Sequence, residues 1–325
     1  MRVAVGAITR RRPQMFADLL ASFAGMRRPE GCEVIFLFAE NDDALSVGPQ
    51  VGGFRQSVPE EVRLELEPRA GIPHARNRVL DMALAAGADL LTFVDDDEVV
   101  TCDWLVELVA GMERRRLDLG GGPVRLTAAS ETMSAWNAAV FRHLTHRARR
   151  RNGDRAKAAA SGRDHLINIY TNNWALRLSA QRRLGLRFDE RLEVSGGSDT
   201  RFSLEMKRAS ARIGWIPDAW VEEPTPLKRL TLRYHFTRAR DQSTNAVRLS
   251  RKGPLRALWH AVARGVDALL FLLATPVGGR FAVARAVHKL GAATGALRGA
   301  VGGRSRHYAP AAAEFHAEAE STAGR

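Results

Sequence analysis

The sequence predicts an α/β fold with a mostly parallel sheet, and three observations predict it. Over residues 2–126, short apolar runs of strand length alternate with segments whose apolar residues recur at helical spacing. The main strand-length runs are apolar throughout, the pattern of strands buried on both faces. Polar clusters stand directly after several of them, where open α/β sheets hold their ligands.

Residues 3–8 (VAVGAI) read as the first buried strand. Thr9 and three arginines form a loop, Pro13 suits a helix start, and Met15, Phe16, Leu19, Leu20 and Phe23 follow at helical spacing. Residues 33–38 (EVIFLF) are a second strand, ending near Glu40-Asn41-Asp42, and 62–66 alternate as a shorter one. A helix is predicted over 73–86, with Ala75, Val79, Leu80, Met82 and Ala83 on its apolar side. Residues 90–94 (LLTFV) are a further core strand that runs straight into Asp95-Asp96-Asp97, and 103–112 form another helix. Residues 128–163, rich in Arg and Ala and punctuated by Asn152-Gly153-Asp154, read as a helix followed by a mobile loop. Then 167–178 are extended, 179–184 and 200–209 helical, and 213–216 a short strand closed by Pro217-Asp218.

After Pro226 the character changes. Leu255, Leu258, Trp259, Val262, Val266, Leu269, Leu270 and Leu273 fall on one helical stripe, with Arg256, His260, Arg264 and Asp267 off it. Phe281, Ala284, Val287 and Leu290 make a second stripe beside Arg280, Arg285, His288 and Lys289. Residues 254–298 are therefore an amphipathic helical extension, either packed over the acceptor side or lying on a membrane face. The small and charged residues of 299–325 predict a disordered tail.

The 325 residues are 45% hydrophobic, so a packed core is expected and global disorder is excluded. The net charge of +13 favours anionic partners: phosphate-bearing substrates, nucleic acid or an acidic membrane face. Cys32 and Cys102 make neither a disulfide framework nor a zinc pattern and fit a reducing compartment. The first strand is too short for a secretory signal, and no apolar run reaches the roughly 20 residues of a spanning helix. The expected location is cytoplasmic, with the inner face of the cytoplasmic membrane within reach of the basic helices.

Asp95-Asp96-Asp97 are the leading candidates for chemistry. Adjacent carboxylates repel one another without a cation, and acids fixed at a strand end suit Mg²⁺ or Mn²⁺, which take oxygen ligands and keep positions open for a diphosphate. Taken alone they also fit a solvated acidic turn. A carboxylate of Glu40-Asn41-Asp42 can accept from a base or ribose, although Asn-Asp is ordinary turn chemistry. In Arg69-Ala70-Gly71-Ile72-Pro73-His74-Ala75-Arg76-Asn77, a turn glycine, a helix-starting proline and Arg76 in the first turn make an anion site. In Gly196-Gly197-Ser198-Asp199-Thr200-Arg201-Phe202 the glycines permit close approach, and Asp199 is either a helix cap or a base. Glu222-Glu223 follow a short strand and offer a further metal ligand or an exposed pair.

These segments, in this order, resemble the family 2 glycosyltransferases: residues 3–9, Glu40-Asn41-Asp42, Ala75-Arg76-Asn77-Arg78, Phe93-Val94-Asp95-Asp96-Asp97-Glu98, Asn172-Asn173-Trp174-Ala175-Leu176-Arg177, and Gly197-Ser198-Asp199-Thr200-Arg201-Phe202. Within that family the chain looks most like the bacterial exopolysaccharide, succinoglycan-type branch. The resemblance covers about residues 1–245. It implies a GT-A, Rossmann-like fold with a nucleotide-binding part (1–126) and an acceptor part (127–245). It implies a nucleotide-sugar donor, UDP-linked first of all, an inverting transfer, Mn²⁺ or Mg²⁺, and a glycan or lipid-linked acceptor. By the same resemblance Thr9, Glu40, Asp42, Arg76, Asp95, Asp96, Arg238 and Arg240 lie on the donor side. Asp97, Asp95 and Glu222 (or Glu223) serve the metal, and Asp199 is the general base.

Two departures bear on these expectations. Ser198 stands where the family usually has an acid before the base, so Asp199 has no acidic neighbour there. The Gln-x-x-Arg-Trp signature of processive synthases is absent, which points to addition of single sugars. Nucleotidyltransferases also place strand-end carboxylates on a nucleotide, but they carry a glycine-rich loop after the first strand, and Thr9-Arg10-Arg11-Arg12 lacks the glycines. A nucleic-acid-binding role rests on charge alone, without a motif, so no nucleic-acid partner is expected.

Overall fold

A computed structural model describes residues 1–128, 132–192, 197–249 and 253–303. Val194, Ser195, Gly196 and residues 304–325 of the expected tail lie outside the described residues. The first half follows the predicted alternation: β1 (Arg2–Thr9), α1 (Pro13–Gly25), β2 (Glu33–Glu40), α2 (Gly48–Ser57), β3 (Glu61–Leu66), α3 (Ile72–Ala85) and β4 (Leu90–Asp95). These strands run parallel in the order β3-β2-β1-β4. Their apolar runs are buried because helices cover both faces. On one side Phe16 and Phe23 of α1 pack against Phe36 and Phe38 of β2, with ring centroids 5.3–6.3 Å apart. On the other, α3 lies so close to β1 that a Cβ on Gly6 would stand 2.8 Å from Val79 and 2.9 Å from the Thr92 carbonyl. The helix α2 was not anticipated: its sequence GPQVGGFRQS has little helical patterning, and it is held by burial of Val51 and Phe54.

Next come β5 (Val99–Val100), α4 (Trp104–Arg114), β6 (Leu119–Gly121), β7 (Val124–Ala128), α5 (Ala135–Ala160), β8 (Trp174–Arg177), α6 (Leu178–Leu184), α7 (Ser198–Arg208), β9 (Ile213–Trp215) and β10 (Val221–Thr225). β8 pairs antiparallel with β4, and β6 and β9 extend the sheet to seven strands. A second, three-stranded sheet has the order β5-β10-β7.

Residues 128–163 differ from expectation. Asn152-Gly153-Asp154 does not end the helix: α5 runs unbroken for 26 residues. A Ser134–Asn137 capping box starts it, and Asn152 donates through Nδ2 to the Val124 carbonyl of β7 at 3.0 Å. Tertiary packing thus overrides a local turn signal. Glu222 and Glu223 do not follow a strand but lie within β10.

The chain closes with α8 (Leu232–Leu249), α9 (Pro254–Leu273) and α10 (Thr275–Ala300). Residues 299 and 300, expected to begin the tail, instead belong to helix α10, which continues to Ala300. Small residues make the contacts here. Gly291, Gly295 and Gly299 of α10 meet the backbone of α8, and a Cβ on Gly295 would fall 2.0 Å from the Arg240 carbonyl. Ala257, Ala261 and Ala268 form the buried side of α9, while its large apolar residues face outward: Leu255 is 83%, Trp259 71% and Leu273 68% exposed. No helix among the described residues is long and apolar enough to cross a membrane.

Candidate active site

Strand register assembles the rim. Thr9 pairs with Glu40 across β1 and β2, and Ile8 pairs with Asp95 across β1 and β4, so the three strand ends lie side by side. Beyond them opens a cavity of about 720 Å³. Its walls include Arg76 at the start of α3, Asp95 at the end of β4, Asp199 in the first turn of α7, and Glu223 of β10.

The acids form one electrostatic unit. Asp95 lies deep in the cavity with its carboxylate still touching solvent. Burial pushes its pKa up to about 7, opposed by Arg76 and reinforced by Asp97, Asp96 and Asp199. Asp96 is raised by burial; Arg12 works against that at 2.9 Å, and Thr9 Oγ1 donates to it at 2.8 Å. Glu98 is raised well above the usual carboxylate range by burial and then by Asp95, Glu223 and Asp97. It accepts from the Asp95 amide at 3.1 Å and from Asn172 at 3.2 Å. Glu223 is raised by burial and by Asp97. Three arginines reach into this group. Arg229 bridges Asp97 at 2.6 Å and Glu223 at 3.3 Å. Arg12 approaches Asp97 at 4.0 Å, and Arg76 joins Asp95 at 3.5 Å to Ser198 Oγ at 3.2 Å.

The donor set is compatible with a hard divalent ion. Asp95, Asp97 and Glu223 offer carboxylate oxygens of the kind such an ion takes, and burial foremost, then the neighbouring carboxylates, raises Asp95 and Glu223. Asp97 and Glu223 are both held by Arg229, Asp97 the more closely.

Several expected site residues have other work. Glu40 is fully buried: it accepts from the amides of Ser46 (2.7 Å) and Val47 (3.1 Å) and from the Ser46 hydroxyl, which fixes the turn into α2. It is therefore not presented to a base or ribose. Asp42 is nearly buried and ion-paired with Arg11 at 2.5 Å; burial works against its ionisation, but Arg11 holds its carboxyl below the usual range. Glu222 pairs with Arg125, and it is Glu223 that lines the cavity, because neighbouring residues of a strand point to opposite faces. Arg238 lines the cavity, 3.1 Å from the Tyr234 hydroxyl, whereas Arg240 is turned onto Asp241 at 2.9 Å and is not part of the lining. Asn173 binds the Pro123 and Ala219 carbonyls and accepts from Trp104 Nε1, a role in joining the two sheets.

The sequence reading missed the basic wall. Arg147, Arg151 and Arg155 of α5 line the cavity at a spacing of four residues. Arg155 lies 5.2 Å from the Tyr170 ring centroid and 4.8 Å from that of Trp215, and burial, then Arg151, lowers its pKa to about 10. The i, i+4, i+8 arginines were the available signal.

A GT-A-type fold is the class defined by this seven-stranded sheet with helices on both faces and its acidic strand-end rim. A crystal structure of S. aureus TarS 1-349 shares the fold, with a TM-score of 0.50 at 16% identity over 92% of this chain and 91% of that one. No family model matches the chain. It is 32% identical over 267 residues, 82% of its length and 81% of the relative's, to the succinoglycan biosynthesis protein ExoM of Rhizobium meliloti (strain 1021). The chain belongs to the exopolysaccharide-type family 2 glycosyltransferases.

Proposed function

We propose that this glycosyltransferase transfers single sugars from a UDP-sugar, with inversion, to a glycan or lipid-linked acceptor in the synthesis of a cell-surface polysaccharide. The observation that carries this reading is that Asp95, Asp199, Glu223 and the cationic Arg76 and Arg238 line one cavity beyond the strand ends. Similarity to a succinoglycan biosynthesis protein supports the polysaccharide assignment.

In this reading Asp199 accepts the proton of the attacking acceptor hydroxyl. The acceptor oxygen bonds the anomeric carbon as the bond from that carbon to the diphosphate oxygen breaks, and the electron pair leaves with the nucleoside diphosphate. Arg76 and Arg238 attract the negative diphosphate, and Thr9 with Arg12 holds Asp96 in place at the rim. Asp95, Asp97 and Glu223 would hold Mn²⁺ or Mg²⁺, with Arg229 giving up its contact to Asp97. When bound, the ion would offset charge on the leaving diphosphate. A screen of UDP-sugars for released UDP, with Mn²⁺, Mg²⁺ or chelator, tests the reading. Pyrophosphate release from a nucleoside triphosphate and a sugar phosphate, with no UDP release, would replace it by nucleotidyl transfer.

We also propose that α9 rests on the membrane that carries a lipid-linked acceptor. Its exposed Leu255, Trp259, Val266, Leu270 and Leu273 lie on one face, with Arg256 and Arg264 on the same helix. Co-sedimentation with anionic vesicles should be strong for the full chain and weak for Trp259→Ser/Leu270→Ser. Equal binding by the two would sink this part.

A further inference from the structure

Three histidines far apart in sequence meet inside the helical part of the molecule. His143 comes from α5, His235 from α8 and His288 from α10, and all three are buried. Their ring centroids are 5.1–5.4 Å apart, and ligand nitrogens of all three lie within 4.8 Å of one another. Among the described residues neither nitrogen of His143 has a hydrogen-bond partner, nor does Nε2 of His235. Buried imidazoles ordinarily satisfy at least one nitrogen, so this group needs an explanation.

Hydrogen bonding and electrostatics supply part of one. His235 is hydrogen-bonded to the Ala284 carbonyl. With Nε2 unpartnered, the ring's other nitrogen is the donor, which leaves the Nε2 lone pair available to a ligand bond. This is the outer-shell bond that typically orients a metal-binding histidine. Burial foremost, then surrounding cations including Arg147, holds His143 down to about 3, His235 to about 4 and His288 to about 2. His235 and His288 also line the large cavity, so a fourth coordination position can be reached by water or by a substrate oxygen.

We propose that His143, His235 and His288 form a site for a nitrogen-preferring transition-metal dication of the Zn²⁺ class, separate from the acidic rim. Three imidazoles with one open position make a tetrahedral zinc arrangement, and Zn–N bonds of about 2.0–2.1 Å require only a modest inward movement of the rings. Hard cations such as Mg²⁺ are disfavoured because the set offers no oxygen and Arg147 stands nearby. Binding would fasten α10 to both α5 and α8 and give the cavity wall a second electrophilic centre.

The test uses untagged full-length protein stripped by a chelator and then exposed to Zn²⁺ alone. The wild type should bind one equivalent of Zn²⁺ that persists in Asp97→Asn, and its Tm should rise on binding. His288→Gln should weaken that affinity at least about ten-fold and abolish the Tm rise. Co²⁺ added to the wild type should give the intense visible bands of a tetrahedral, nitrogen-rich site, a readout that does not depend on any variant folding. Absence of those bands overturns the proposal, as does Zn²⁺ uptake that is unchanged in His288→Gln. Uptake lost in Asp97→Asn but kept in His288→Gln would assign the ion to the acidic rim and equally overturn it.

Discussion

The two sides of the cavity are built on different principles. The sheet side is a set of strand ends: parallel register alone puts Thr9, Glu40 and Asp95 abreast, and the acids follow from where each strand stops. The helical side is a set of faces. Arg147, Arg151 and Arg155 reach the cavity because α5 stays unbroken, and Arg238 and His235 because α8 lies against the glycine stripe of α10. A strand end needs only its own sheet to be placed. A helix face is placed by whichever neighbour the helix packs on, so the helical side depends on contacts distant in the chain, such as Ser243 Oγ donating to the Ala292 carbonyl, 49 residues on, at 2.7 Å.

This contrast orders the expected effects. Asp97→Asn on the sheet side should abolish metal-dependent transfer, by about 10⁴-fold in kcat, with an unchanged circular dichroism spectrum. Asp199→Asn should keep donor binding, measured by calorimetry with UDP, and reduce kcat by about 10³-fold. Full activity of that variant would move the base to another residue. On the helical side Gly295→Val should destabilise by about 3 kcal/mol in denaturant unfolding, because its side chain would meet the Arg240 carbonyl. A loss of activity exceeding the loss of folded protein would show that the helical packing sets cavity geometry. Arg151→Ala should raise the KM of the anionic substrate about ten-fold, with kcat nearly unchanged. The smallest effect is expected from Trp259→Ser, within about 0.5 kcal/mol in stability, since that side chain is exposed.

The sheet side was largely legible. Runs such as EVIFLF and LLTFV fall in β2 and β4, and the aspartates stand where the rim was expected. Glu40 and Glu222 show the limit of that reading. Both were expected just past a strand, yet Glu40 is the last residue of β2 and Glu222 lies within β10, and only the turn at Ser46-Val47 and the pairing with Arg125 reveal that both carboxylates are engaged elsewhere. For α9 the sequence left two arrangements open, packed over the acceptor side or lying on a membrane face. The structure buries Ala257, Ala261 and Ala268 and leaves the leucine stripe exposed, a choice of face that no periodicity within the helix could make.

By itself the sequence determined the α/β order, the parallel core strands and the acid-bearing rim. These follow from local periodicity and from the abrupt change of an apolar run into carboxylates, both written in consecutive residues. The tertiary structure alone decided which glutamate of β10 faces the cavity, that α5 continues through Asn152-Gly153-Asp154, and that His143, His235 and His288 meet. Each of these depends on packing between segments distant in the chain, and such contacts leave no periodic trace in any one segment.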